Sequence, residues 1–375
     1  MPYKSERARR ESGDDLYLVV DAESFEPHPE ARDYSLYLTG RDFSINTVRS
    51  YIAKLAAFLS WCQSESVDWR TISMADMVRY RWYVESPKAT PKGPRSPSTV
   101  AVYLGATIDF LRFCGRAGFI TPEVAGRLVE PKYLRHATHD TGERGEYRSV
   151  LSPALRVNVP THRPKYLEPD QIAPVLDASP VNLLDNFLIR LLLGTGIRVG
   201  EALGLRREDM HLLPSSAAIG CPIKGAHIHV ERRLNPNGAL AKTRPRPVPV
   251  PDDVARAYSD YQFMRTDILG KRDVSDFVFV NLWRGEVGEP MTYATVGDLF
   301  LRLSHRSGVR VRPHMLRHTA ATTWIRQPGT ELDVVQDLLG HRNTATTKVY
   351  LHRSDDEKRQ AVLQAAAYLA KETQR

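Results

Sequence analysis

The chain has 375 residues, 42% of them hydrophobic and 26% charged, a globular composition long enough for two domains. A net charge of +8 and a pI near 9.3 favour a polyanionic partner, nucleic acid above all. No apolar run reaches membrane-spanning length, and the basic N-terminus lacks the apolar stretch of a signal peptide. Cys62, Cys114 and Cys221 are scattered and odd in number. They show no CxxC spacing, so they read as packing residues in a reducing cytoplasm, forming neither a disulfide framework nor a zinc site.

Residues 1–30 are polar and charged with little periodicity, and are expected to form a flexible lead. Residues 31–130 read as a small helical domain. In INTVRSYIAKLAAFLSWC, Thr47, Tyr51, Leu55, Phe58 and Leu59 recur at helical steps. Ser73 is placed to cap a second helix. The stretch ESPKATPKGPRSPS reads as a loop, and STVAVYLGATIDFLRFCGRAG as a further helix ending at Gly118. Residues 131–165 are charged and aperiodic, and read as a linker. Residues 166–375 form the larger domain, opened by a helix start at Glu168-Pro169-Asp170 and a long apolar helix in NLLDNFLIRLLL.

A strand pair follows. AHIHVERR alternates with period two, RPVPVP is extended, and Asn235-Pro236-Asn237-Gly238 supplies a turn between them. Prolines 247, 249 and 251 predict an edge strand. LDVVQDLL is a helix closed by Gly340. Beyond it, RSDDEKRQAVLQAAAYLAKETQR places Val362, Ala366 and Leu369 on one helical face, with Asp355, Asp356 and Glu357 at its start. The fold class expected is mainly α with a small β-sheet: a small helical bundle with basic loops, then a larger mixed α+β domain.

Four patches carry chemistry. TGIRVGEALGL holds Arg198 and Glu201 on one helix face; AKTRPRPVPVP holds Lys242; PHMLRHTAA holds His314, Arg317 and His318 at i, i+3 and i+4; LLGHRNTATTKVY holds His341 and Tyr350. Singly, each has an ordinary structural explanation: an exposed ion pair, a solvated lysine, a polar helix face, a surface aromatic. A zinc reading of His314 and His318 fails because the motif is His-Met-Leu-Arg-His, without an acid and with a guanidinium between the ligands. Jointly the set suits a phosphodiester. Guanidinium groups bind non-bridging oxygens in bidentate fashion and offset the charge of a phosphorane. Ionising a tyrosine at pH 7 costs roughly 4 kcal/mol, which a neighbouring histidine and arginine pair lowers. A lysine can protonate a leaving hydroxyl. No cofactor or metal is required, and no carboxylate cluster stands ready to hold one.

The order and spacing of these patches resemble the tyrosine recombinase, or phage integrase, superfamily, whose hallmark is Arg, Lys, His-x-x-Arg, His and then Tyr. Arg198, Lys242, His314, Arg317, His341 and Tyr350 fill those positions. RRLNPNGALAKTRPRPVPV and DFVFVNLWRGEVGEPMTYATVGDLF look most like the transposase-A type. The resemblance is strong over about residues 170–352 and weaker over 35–125, the family's helical core-binding (SAM-like) domain. It implies a site-specific recombinase that closes as a clamp on double-stranded DNA and cleaves through a 3′-phosphotyrosine on Tyr350. Catalytic roles then fall to Arg198, Lys242, His314, Arg317 and His341, with Glu201 and His318 supporting. Lys224 or Arg244 could take the lysine's place.

Candidate DNA contacts are Thr47 and Lys54 on the helix over 46–62, Lys92 and Arg95 in the basic loop, and Arg244. The implied assembly is a homo-tetramer on synapsed DNA, a monomer or weak dimer in free solution, with companion recombinases as further partners. Set against this are a type IB topoisomerase, a non-catalytic DNA-binding protein of the same fold, and a metal nuclease.

Overall fold

The computed structural model describes residues 1–10, 13, 15–41, 43–87, 93–134, 148–160, 164–179 and 182–340. Lys92, His341, Tyr350 and the C-terminal segment with Val362 lie outside the described residues. The chain divides into two compact units, 1–161 and 162–375.

The first unit opens with a hairpin rather than a flexible lead. β1 (Tyr3–Arg9) pairs antiparallel with β2 (Asp15–Asp21) in register from Tyr3↔Asp21 to Arg9↔Asp15. Val19 and Val20 are buried, and Ser60 Oγ both accepts from Tyr3 N at 3.0 Å and donates to Tyr3 O at 3.1 Å. The charged residues that made this segment look unstructured sit on a two-stranded ribbon whose apolar positions pack against the helices.

Among the described residues five helices follow: α1 (Pro29–Gly40), α2 (Ile45–Ser64), α3 (Met74–Glu85), α4 (Pro97–Ala117) and α5 (Pro122–Arg127). Ser73 caps α3 in a reciprocal box with Asp76, and α4 stops at Gly118 in left-handed conformation, both as the sequence predicts. In α2 Leu55, Phe58 and Leu59 are buried as the sequence predicts, while Val48 and Ile52 rather than Thr47 and Tyr51 continue the stripe. Thr47 and Tyr51 are therefore half-buried at its margin. Part of the expected linker is ordered too, since β3 (Val129–Leu134) pairs with β4 (Arg148–Pro153).

In the second unit α6 (Pro169–Asp177) and α7 (Leu183–Thr195) lead to a single turn, α8 (Val199–Ala202). A three-stranded antiparallel sheet follows, β5 (Met210–His211), β6 (His227–Val230) and β7 (Arg246–Pro249), in that spatial order. β7 is the predicted edge, with Arg246 and Val248 buried and Pro247 and Pro249 facing out. Then come α9 (Asp252–Leu269), α10 (Tyr293–Ser307), α11 (Pro313–Arg326) and α12 (Leu332–Leu339). The core joins α7, α9 and α10 to the sheet through Phe187, Leu188, Tyr261, Leu299, Ile228 and Val248. Burial of this kind stabilises by roughly 25 cal/mol per Å² of apolar area and fixes the platform for the site.

Candidate active site

The site is built around one buried carboxylate. α7 ends at Gly196, whose φ of +60° turns the chain back; a Cβ there would come within 2.8 Å of the Trp324 ring. The turn places Arg198 at the N-cap of α8, its backbone N–H donating to Glu201 Oε2 at 2.8 Å. Glu201 has no side-chain exposure. It also accepts from Thr243 Oγ1 at 2.5 Å and from Arg246 Nη2 at 3.2 Å, with Arg317 Nη1 3.9 Å away. Burial alone would raise the Glu201 pKa. The Arg246 charge and the hydrogen bonds from Arg246, Thr243 and Arg198 overcome that and hold it below the usual carboxylate value.

Two buried arginines then grip the end of α12. Arg246 Nε donates to Leu338 O at 2.8 Å and Arg317 Nη2 to Leu339 O at 2.8 Å, while Arg317 Nη1 reaches Gly196 O at 2.6 Å. These are carbonyls that a helix end leaves without intrahelical partners. The chain leaves α12 through Gly340, at φ +65°, where a Cβ would sit 2.8 Å from Arg246 Nη1. Arg317 thus ties the α7 turn to the last residues before His341.

The sequence-predicted residues divide accordingly. Arg198, Glu201, His314, Arg317 and His318 come together. Arg198 keeps 27% of its side chain exposed against 3% for Arg317. His314 is exposed in the first turn of α11. Desolvation, then the charges of Arg317 and Arg198, lower its pKa. His318, half-buried one turn on, is pushed down to about 4 by desolvation, His314, Arg317 and Arg198. Protonation of both rings is thus disfavoured beside the two guanidinium groups, of which Arg198 is the partly exposed one.

Lys242 is exposed on the connection from β6 to β7, next to the buried Thr243. Lys224 is exposed on a different loop. Arg244 is exposed and paired with Asp337. In the first unit, Lys54 Nζ donates to Ser50 Oγ at 2.9 Å, and Lys54 and Arg95 both stack over Tyr103, 5.4 and 4.5 Å from its centroid. Ser44 caps α2 by accepting from the Thr47 backbone N–H at 3.3 Å, and its hydroxyl lies 2.9 Å from Thr47 Oγ1.

Sequence reasoning missed two features. Arg246, lost among prolines, is the main charge partner of Glu201; its one signal is alternation with Val248 on the buried side of the edge strand. And Cys221, taken as a packing residue, lies against His211, His227 and His229, their ligand atoms all within 4.8 Å of one another. The His-x-His of β6 was the available signal. Cys62 and Cys114 are core residues, as expected.

The phage integrase family model matches residues 165–357, and the model of the phage integrase N-terminal SAM-like domain matches residues 32–118. Transposase A from transposon Tn554 of Staphylococcus aureus is 27% identical over 352 residues, covering 91% of this chain and 92% of its own. The tyrosine recombinase XerD of Corynebacterium glutamicum is 30% identical over 327 residues, covering 85% and 91%. Among solved structures, the Tn1549 transposon integrase in complex with a circular intermediate DNA aligns with a TM-score of 0.61 at 18% identity, covering 88% of this chain and 98% of that one. A lambda integrase dimer bound to a core site gives 0.56 at 17%, covering 86% and 94%. These structural likenesses carry the fold. With a family model across half its length and relatives that span nearly all of it, the chain belongs to the phage integrase family and is a tyrosine-type site-specific DNA recombinase.

Proposed function

We propose that this recombinase binds double-stranded DNA at a recombination site and exchanges strands there in the integration or transposition of a mobile element. The observation that carries this reading is the convergence of Arg198, Glu201, His314 and Arg317 at one site, with Arg198 partly exposed and His314 exposed. Guanidinium groups placed in this way bind the non-bridging oxygens of a phosphate diester. In this scheme the Tyr350 hydroxyl attacks the scissile phosphorus. A 3′-phosphotyrosine bond forms, the bond to the 5′-oxygen breaks, and Lys242 gives that oxygen its proton. Arg198 and Arg317 stabilise the equatorial oxygens, and His314 and His341 assist the loss of the tyrosine proton. A 5′-hydroxyl from the partner strand reverses the attack, so bond energy is conserved without ATP. The likeness to the Tn554 transposase supports the mobile-element setting.

The test is a nicked suicide substrate, which traps the covalent adduct. The wild-type chain should form it; Tyr350→Phe should bind the same DNA and form none. An adduct on Tyr350→Phe would overturn the assignment. Assembly is proposed as a tetramer on two synapsed sites, held in part by residues 358–375. A chain truncated at 357 should still bind single sites by gel shift and fail to form synaptic complexes.

A further inference from the structure

Away from the active site, three histidines and a cysteine from three separate segments converge on one face of the sheet. His211 on β5 is the direct cross-strand partner of His227 on β6, and His229 lies two residues on, so all three rings share one face. Cys221 arrives from the loop between β5 and β6. We propose that these four side chains are a structural site for a divalent zinc ion, independent of the DNA chemistry.

The tautomers argue for it. A backbone carbonyl can only accept, so His227 Nδ1, 2.7 Å from Gly225 O, carries the proton and Nε2 is left as a lone pair. That Nε2 faces His229 Nε2 at 3.2 Å and Cys221 Sγ at 3.4 Å, while Cys221 Sγ lies 3.6 Å from His229 Nε2. By the same logic His211 donates Nε2–H to Glu208 O at 3.1 Å. Its Nδ1 lone pair is then left buried with no hydrogen-bond partner among the described residues. Buried polar atoms without partners are costly. His227 Nε2 and His211 Nδ1 both face the cluster as acceptors and the second has no hydrogen-bond partner among the described residues, whereas one cation engages all four atoms.

Distances support the same ion. With Zn–N about 2.0–2.1 Å and Zn–S about 2.3 Å, a tetrahedron of one sulfur and three nitrogens separates its ligand atoms by roughly 3.3–3.6 Å. The separations of 3.2, 3.4 and 3.6 Å among Cys221, His227 and His229 lie close to that spacing, and His211, whose ligand atom is within 4.8 Å of the others, closes onto them to complete the shell. Two of the ligating histidines already donate their other nitrogen to a carbonyl, the outer-shell contact that orients a metal-bound imidazole. The nearby Asp209 carboxylate is taken up by Arg233, at 2.7 and 2.8 Å, and does not compete. A set of one cysteine and three histidines suits zinc over magnesium or calcium, and four protein ligands leave no open position, which makes the site structural. The ion would pin the excursion over residues 212–226, where Leu213 and Ile219 are exposed, to the sheet from which the Lys242 connection departs.

The full-length chain, produced in zinc-supplemented medium and desalted, should carry about one zinc per chain by plasma mass spectrometry. Cys221→Ala and His229→Ala should each lose it, with a lower melting temperature. Produced with cobalt instead, the wild type should show the intense visible bands of tetrahedral cobalt and a thiolate-to-cobalt charge-transfer band. The cobalt arm decides the matter if the variants fail to fold. Burial pushes the Cys62 and Cys114 thiols up to about 12, so neither supplies a competing thiolate. A wild-type chain without bound zinc, full zinc retention in both folded variants, or a cobalt spectrum lacking the thiolate band would overturn the proposal.

Discussion

Arg246 and Glu201 face each other in the interior of the second unit, Nη2 3.2 Å from Oε2, with side-chain exposures of 6% and 0%. Both are shielded from solvent, so each depends on the other for its charge. Removing one partner of such a pair leaves a buried, uncompensated ion and costs about 3–5 kcal/mol. Glu201→Gln and Arg246→Met should therefore each lower the melting temperature by on the order of ten degrees. The double variant should recover part of that loss, because no lone charge remains. Additive losses in thermal melts would show that the pair is not coupled. The low pKa of Glu201 fixes the sign with pH. Its contribution is present above its ordinary value of 4.5 and is lost as pH falls through the lower folded value.

Arg198 and Arg317 should separate catalysis from stability. Arg198 is partly exposed and its side chain makes one long contact with Glu201 at 3.5 Å, whereas Arg317 ties together Gly196, Leu339 and the Glu201 region. Arg198→Lys keeps charge but loses the bidentate fork; cleavage should fall at least about a hundredfold with little change in melting temperature. Arg317→Lys should lose both cleavage and several degrees of melting temperature. Equal stability losses in the two variants would contradict the division.

His318 gives a pH dependence of definite sign. Desolvation first, then His314, Arg317 and Arg198, hold it at about 4 against an ordinary 6.5. Between those values the unfolded chain binds a proton that the folded chain refuses. Stability should be full above pH 6.5 and fall by at most about 3 kcal/mol as pH drops towards 4. His318→Gln should flatten this slope in denaturant titrations at several pH values. An unchanged slope would place the titrating group elsewhere.

Lys54 and Arg95, stacked over Tyr103, present the proposed DNA-facing charge of the first unit. Removing a cation that pairs with a phosphate should reduce the slope of log affinity against log salt by about one. Lys54→Ala and Arg95→Ala in the full chain should each weaken binding across all sequences alike, by gel shift over a salt series. A changed affinity with an unchanged salt slope would mean that these residues act through packing.

What the sequence made legible follows a physical pattern. Ser73, Gly118 and Gly340 act within one helical turn, so their neighbours alone predict them, and all three cap or close helices as expected. The prolines of the edge strand were equally local. The hairpin over residues 3–21 was not, because seven-residue strands with mixed charges show their alternation only once Val19 and Val20 have a core to enter. The recombinase motif was legible through fixed types at fixed spacing, which brought Arg198, His314, Arg317 and His318 to one site. Arg246 was not, since its partner Glu201 lies 45 positions away and nothing in a proline-rich run announces a buried ion pair. The cluster of Cys221 and three histidines showed only its His-x-His in the sequence, and the pairing of His211 with His227 brings the rest to it.

The outer margin of β7 is closed to further strands. Val250 directs its N–H inward, to Ala226 O at 2.9 Å, and antiparallel alternation turns positions 247 and 249 the opposite way. Both are proline, so the two places where this strand would offer a donor to an approaching chain have none. A foreign strand meets acceptors only and cannot extend the ladder. Copies of the protein crowded together are thereby denied backbone pairing at that margin, and any association made there has to run through side chains.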